Sequence, residues 1–253
     1  MIARSGSGLQ RVSSSLPERD GQSIVRIACD LGDPVQVLEL IVKVKETLPS
    51  LDVLINNAAI QGPIGPLTQN DFSMWQQAIQ VDLLAPVALC RGFVPWMSER
   101  GGSIINLSGG GATAPRANFS AYATAKAGLV RFSETLAEET KSLGIRVNCI
   151  APGAMKTAML GEVLEKGADV AGEREFAIAT KIFTEGGASM NRVADLALFL
   201  ASDESKGITG KLISAIWDDW EHWPEHLDEL SKNDIYTLRR IVGRDRGFEW
   251  GDK

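Results

Sequence analysis

The stretch Ser120-Ala-Tyr-Ala-Thr-Ala-Lys126 sets a tyrosine and a lysine four residues apart with only small residues between them. On a helix that spacing is one turn, so Tyr122 and Lys126 share a face with their Cβ atoms about 5–6 Å apart. An ammonium at that range favours the phenolate and is expected to draw the tyrosine pKa down from its usual value of about 10. Such a pair can give or take a proton at an alcohol or carbonyl oxygen. The same spacing also arises on the solvated face of ordinary helices, so the pair alone does not separate chemistry from surface. Its surroundings have to decide.

The elements that would position the pair follow from the hydrophobic pattern. Short β-branched runs alternate with longer helical ones, which implies βα units around a mostly parallel sheet, an α/β fold of Rossmann-like, doubly wound type. Strands are expected at Ser23–Cys29, Leu51–Ile55, Ser103–Leu107, Ile145–Ile150 and Lys211–Ile216. Helices are expected at Pro34–Leu48, with Asp33 as N-cap, at Asn70–Met97, bent or divided by Pro86 and Pro95, at Phe119–Leu143, stopped by Gly144, and at Asn191–Ser202. Small-residue turns follow three of the strands: Asn56-Asn57-Ala58-Ala59, Ser108-Gly109-Gly110-Gly111 and Ala151-Pro152-Gly153. Ligands of open parallel sheets bind at the carboxyl ends of the strands, where such turns admit close backbone approach.

Composition narrows the class. A chain of 253 residues with 44% hydrophobic residues suits one large domain over residues 1–216. A net charge of −6, with scattered basic residues, argues against nucleic acid as a partner. No apolar run approaches the ~18 residues of a membrane span, and the N-terminus has no signal-peptide core, so no membrane association is expected. Cys29, Cys90 and Cys149 are far apart and odd in number, which reads as reduced thiols in a cytoplasmic protein. Residues 157–187 read as a mobile helical flap. Residues 217–253 carry four of the six tryptophans and both histidines. His222 and His226 flank Pro224, and an amphipathic tail packing its tryptophans is preferred over a metal site. Asp234–Ile241 is expected to form a short helix with Ile235, Leu238 and Ile241 on one face.

Taken together, "CDLGD", "LINNAA", "GGSIINLSG", "YATAK", "RVNCIAPG" and "ITGKLI" make the chain resemble the short-chain dehydrogenase/reductase family, over about residues 1–216. The resemblance implies hydride transfer between NAD(P)(H) and a small carbonyl or secondary-alcohol substrate. It implies Tyr122 as acid/base and Lys126 on the nicotinamide ribose. Ser108 would orient the substrate oxygen, and Asp82 would stand in a proton relay. Asp30 and Leu31 would lie by the adenine, and Asn57, Ala58 and Ala59 along the adenosine ribose. Pro152, Gly153 and Thr157 would hold the carboxamide. Arg4, after Ala3, occupies the position that selects the 2′ group, which favours NADP(H) over NAD(H). A homo-dimer or homo-tetramer is expected, with helices 70–97 and 119–143 at its interface.

The chain departs from that family's pattern at three places. The family's first strand and Gly-rich pyrophosphate turn would lie before residue 1, so the strand ending at Arg4 and the strand ending at Asn56 are expected to lack a common neighbour. A true start about 30 residues upstream, enough for one βα unit, is the expected explanation. Gly109 stands at the usual catalytic-serine spacing, one residue after Ser108. Asp82 stands where an asparagine is usual. These departures keep one competing reading in view, a non-catalytic nucleotide-binding or scaffolding member; a nucleotide-sugar epimerase or dehydratase using the same Tyr/Lys pair is disfavoured by the short C-terminal region.

Overall fold

The computed structural model describes residues 1–17 and 20–250. Its strands fall into two ladders. β1 (Ile2–Ala3) pairs with β2 (Ile27–Ala28), while β3 (Val53–Asn56), β4 (Gly102–Leu107), β5 (Ile145–Ala151) and β6 (Leu212–Ser214) follow in that order. Every pairing is parallel. β4 and β5 are buried along almost their whole length, as parallel strands covered by helices on both faces must be. The expected strands at 23–29 and 211–216 shorten to two and three residues. The two ladders do not join: β1 and β3 each have one strand partner, in line with the missing common neighbour.

Helices begin where the caps place them. α1 (Gly6–Ser15) was not legible in the sequence, because its run of serines and glycines buries only Leu9 and Ser13; the Ser5 hydroxyl caps it by accepting from Gly8 N–H. α2 (Pro34–Thr47) starts under Asp33, whose carboxylate accepts from the amides of Val35 and Gln36. The long helix divides into α3 (Phe72–Ile79), a π-helical turn at Gln80–Leu84, and α4 (Ala85–Met97). The division falls at the π turn directly ahead of Pro86, whose ring and missing N–H disfavour the regular i→i−4 ladder there, while Pro95 lies inside α4 without dividing it. Taken as one helix, Phe72–Met97 reaches a mean hydropathy of 1.3 over 18 residues, which is long and apolar enough to cross a bilayer. That corrects the expectation that no run qualifies. Its apolarity is that of a core helix, since Ala85, Leu89, Cys90, Phe93 and Met97 are buried against the sheet, Ala78 is buried too, and Asp82 lies at its centre.

α5 (Ser120–Thr140) carries the Tyr/Lys pair and ends in a 3₁₀ turn at Lys141–Leu143. Gly144, at φ +67°, then takes the left-handed conformation that closes it. The 157–187 segment forms α6 (Ala158–Lys166), α7 (Ala168–Ala171) and α8 (Glu173–Glu185), gathered round a small core of Ile64, Phe119, Val163, Ala171 and Ala179. α9 (Met190–Ala201) covers the other face of the sheet.

The tail is held by its own domain. Trp220 and Trp223 are buried with Ile105, Ile150, Leu196 and Phe199. Pro224 sits in a 3₁₀ run, Trp220–His226, ahead of α10 (Leu227–Lys232). The expected helix at Asp234–Ile241 is absent. Its backbone is spent on the sheet edge: Leu212 N–H donates to Tyr236 O at 2.8 Å, and the Lys211 ammonium donates to Asn233 and Ile235 carbonyls. Leu238 N–H goes to the Glu134 carboxylate at 2.6 Å, and Tyr236 takes a φ of +59°. Those external partners displace the i→i−4 bonds a helix would need.

Candidate active site

The site is built where the carboxyl ends of β3, β4 and β5 face the start of α5. Tyr122 is two residues into α5 and 8% exposed, with its hydroxyl against the turn after β4. A Cβ added to Gly109 would lie 2.2 Å from the Tyr122 hydroxyl, so only glycine lets the ring reach this place. Ser108, one residue earlier, is tied to β5 by its N–H to Ile150 O at 2.8 Å. Its Oγ is buried and has no hydrogen-bond partner among the described residues. A buried hydroxyl without a partner is uncommon and marks a place where a ligand's polar atom can complete the bonding.

One turn along α5, Lys126 is 2% exposed. Its ammonium donates to Leu107 O at 2.9 Å and lies 3.7 Å from Asp82 Oδ2. Asp82 comes from the π turn and is fully buried; its Oδ1 accepts from Ile60 N–H at 2.9 Å. Chain segments at residues 60, 82, 107 and 126 therefore meet on one ion pair. Burial dominates the electrostatics. It lifts the Asp82 carboxyl to about 6, against the pull of Lys126, and holds the Lys126 ammonium below the usual lysine range, against the pull of Asp82.

The tyrosine does not titrate as its spacing suggested. Burial pushes the phenol up to about 12, the Asp82 charge pushes the same way, and Arg116 opposes both. Lys126 does not pull it down, because its ammonium is turned to Leu107 and Asp82 and stands 5.5 Å from the centre of the ring. Tyr122 is a protonated phenol at neutral pH, a proton donor.

The residues expected along a nucleotide separate into two groups. Arg4, Asp30, Leu31, Asn57, Ala58 and Ala59 line one cavity of about 730 Å³ at the carboxyl ends of β1, β2 and β3. Asp30 Oδ1 accepts from Gly32 N–H at 2.9 Å, which shapes that turn. Pro152, Gly153 and Thr157 follow β5 and do not line the cavity. Gly153 packs under Ala188 and Ile216, and the Thr157 hydroxyl is used as the N-cap of α6, accepting from Leu160 N–H. Ile60, next to Ala59, joins the first group to the catalytic one through Asp82.

Two further groups escaped the sequence reading. Gln61 is 3% exposed, and its Nε2 is buried without a partner among the described residues. Arg116 stands over the Phe119 ring at 3.8 Å and within 5.8 Å of the Tyr122 ring, and it pairs with Glu175 of α8 at 2.8 Å. That half-buried pair ties the 157–187 segment to the active-site loop. Its partners are 59 residues apart, a pairing no local pattern encodes.

A family model described as enoyl-(acyl carrier protein) reductase matches residues 3–215. The chain is 32% identical over 188 residues to the uncharacterized oxidoreductase YxbG of Bacillus subtilis, covering 74% of this chain and 68% of that protein. It is 34% identical over 182 residues to the 3-oxoacyl-[acyl-carrier-protein] reductase FabG of Thermotoga maritima, covering 72% and 71%. Among solved structures, an oxidoreductase, yciK, from Escherichia coli is similar at a TM-score of 0.72 and 25% identity, covering 85% of this chain and 83% of that one. A short-chain dehydrogenase from Escherichia coli CFT073 complexed with NADPH is similar at 0.70 and 25%, covering 85% and 84%. With that match running from β1 to β6 around a buried Tyr122/Lys126 pair, the chain belongs to the short-chain dehydrogenase/reductase family of NAD(P)-dependent oxidoreductases.

Proposed function

We infer that the chain interconverts a small ketone or aldehyde and its alcohol, with Tyr122 as the acid/base, Lys126 and Asp82 behind it, and Ser108 orienting the substrate oxygen. The carrying observation is the Tyr122 hydroxyl, set against the Gly109 turn one residue along from a buried Ser108 Oγ that lacks a partner among the described residues, with the lysine fixed one turn on. The nicotinamide cofactor, when bound, supplies or accepts the hydride at the carbon. In reduction, Ser108 donates a hydrogen bond to the carbonyl oxygen. Tyr122 passes its phenolic proton to that oxygen as the carbon is reduced, and the phenolate regains a proton from solvent. Lys126, held by Leu107 O and Asp82, would meet the nicotinamide ribose. Asn57, Ala58, Ala59, Asp30 and Leu31 suit the adenosine end, and Pro152, Gly153 and Thr157 the carboxamide end.

NADP(H) is the preferred cofactor in this reading. Arg4 is exposed at the rim of the cavity and leads straight into the Ser5-capped N-terminus of α1, whose first turn holds no acidic residue. A cation next to a helix N-terminus favours a phosphate over free hydroxyls. Free, buried Cys29, Cys90 and Cys149 fit a cytoplasmic setting, and a homo-dimer or homo-tetramer would form through the helices at 70–97 and 119–143. Titration of the whole chain with NADPH and NADH, followed by nucleotide fluorescence, tests the preference. NADPH should bind more tightly, and Arg4→Ala should weaken NADPH by about tenfold, the order of one charge-assisted contact, while sparing NADH. Equal loss for both nucleotides would contradict the assignment of Arg4 to the 2′-phosphate.

A further inference from the structure

When Tyr122 gives up its proton it leaves a buried phenolate, and a buried charge needs a counter-charge. From α5, Lys126 lies 5.5 Å from the ring centre, but its ammonium is spent on Leu107 O and Asp82. From the π turn, Asp82 carries the wrong sign. α3, also packed on α5, has no charged residue. From the loop after β4, Arg116 brings its guanidinium within 5.8 Å of the ring centre. Burial and then Asp82 hold the phenol up, and the opposing pull comes from Arg116.

Arg116 is fixed from three sides. Its stem runs past the glycine turn: a Cβ added at Gly111 would stand 3.4 Å from Arg116 Cβ, and one at Gly110 4.0 Å from its Cδ. This is the same turn in which Gly109 admits the Tyr122 hydroxyl. The guanidinium lies 3.8 Å over the ring of Phe119, which belongs to the small core of the 157–187 segment. Its Nε donates to the Glu175 carboxylate at 2.8 Å, in the first turn of α8. The two side chains are only 14% and 19% exposed, so water screens their charges weakly. A planar guanidinium can stack on a ring and pair with a carboxylate together, which a lysine ammonium does less well. We propose that Arg116 is a positioning residue for proton transfer, its guanidinium serving the charge that develops on Tyr122, with Glu175 setting how much of that charge the ring feels. The proposal rests on the reading of Tyr122 as the acid. It makes the 157–187 segment, through Glu175, part of what governs the proton.

The chain holds two tyrosines, Tyr122 and Tyr236, so the full chain labelled with difluorotyrosine gives two fluorine NMR signals, which Tyr236→Phe assigns. Fluorine makes the phenol more acidic and brings its titration to a pH at which the chain is folded. In Arg116→Gln the Tyr122 signal should titrate about one pH unit higher, the lower end for an opposite charge removed at this range. In Glu175→Gln it should titrate lower than in the parent. Arg116→Lys, which keeps the charge, should lie between the parent and Arg116→Gln. An unmoved titration in Arg116→Gln would overturn the proposal. So would movement of both glutamine variants in the same direction, the mark of a pair that only holds the loop. If Arg116→Gln does not fold, Glu175→Gln decides alone: a titration that stays or rises overturns the proposal. The signals need neither turnover nor cofactor. A failed titration therefore leaves the hydride-transfer reading standing, and an inactive parent would sink that reading while the titration still settles what Arg116 does to Tyr122.

Discussion

Replacing Tyr122 by phenylalanine is expected to lower kcat by about 10²–10⁴-fold, the range of a lost general acid, and to leave NADPH affinity unchanged. The fold should tolerate the change. The Tyr122 hydroxyl makes no hydrogen bond among the described residues, so its removal leaves no other buried group without a partner, and the ring keeps its place against the Gly109 turn. Burial holds the phenol protonated, up to about 12. The phenylalanine variant thus loses a proton and not a charge. The measurement is steady-state carbonyl reduction beside nucleotide titration for both proteins. Retained turnover would remove Tyr122 from the proton path; lost nucleotide binding would assign it a structural part instead.

Lys126→Met is expected to have the largest effect on stability, because it removes one partner of a buried ion pair and leaves Asp82 alone. Such losses run to about 3–5 kcal/mol. The size should depend on pH in a set direction. The Asp82 carboxyl titrates at about 6 in the folded protein, above the ~3.9 of an unfolded aspartate. Folding therefore favours its protonated form. Stability from this group is present below about pH 4 and is lost as pH rises through about 6. Without the lysine, which pulls the carboxyl down, the folded value climbs further and the penalty of the charged form extends to higher pH. The deficit of the variant against the parent should be small at about pH 5 and full at about pH 8, read by denaturant melts. A deficit that shrinks as pH rises would mean that the ion pair does not govern this position.

Much of this was legible in the sequence. The alternation of β-branched and amphipathic runs located the parallel ladder β3–β6 and its helices, since burial on both faces forces near-continuous apolar strands. Asp33 and Gly144 marked helix ends by cap chemistry that acts within three residues. The motif turns brought Tyr122, Lys126, Ser108 and Asp82 to one place. What failed were properties set by non-local partners. The direction of the Tyr122 pKa depended on where the Lys126 ammonium turns, and Leu107 O with Asp82 decides that. The Asp234–Ile241 helix gave way to bonds with Leu212, Lys211 and Glu134 that no periodicity records. The Arg116–Glu175 pair joins segments whose contact exists only in the fold.

Hydride transfer between a nicotinamide and a carbonyl carbon, with Tyr122 supplying the proton, can be followed by isotope. Its most direct test is incubation of the full chain with NADPH carrying deuterium at both C4 positions and a panel of small ketones and aldehydes, followed by mass spectrometry of the products. An alcohol carrying one deuterium on the former carbonyl carbon, formed by the parent and not by Tyr122→Phe, is the predicted result. No deuterated alcohol from a folded chain that binds NADPH would contradict it and mark the protein as a nucleotide binder without turnover on these carbonyls.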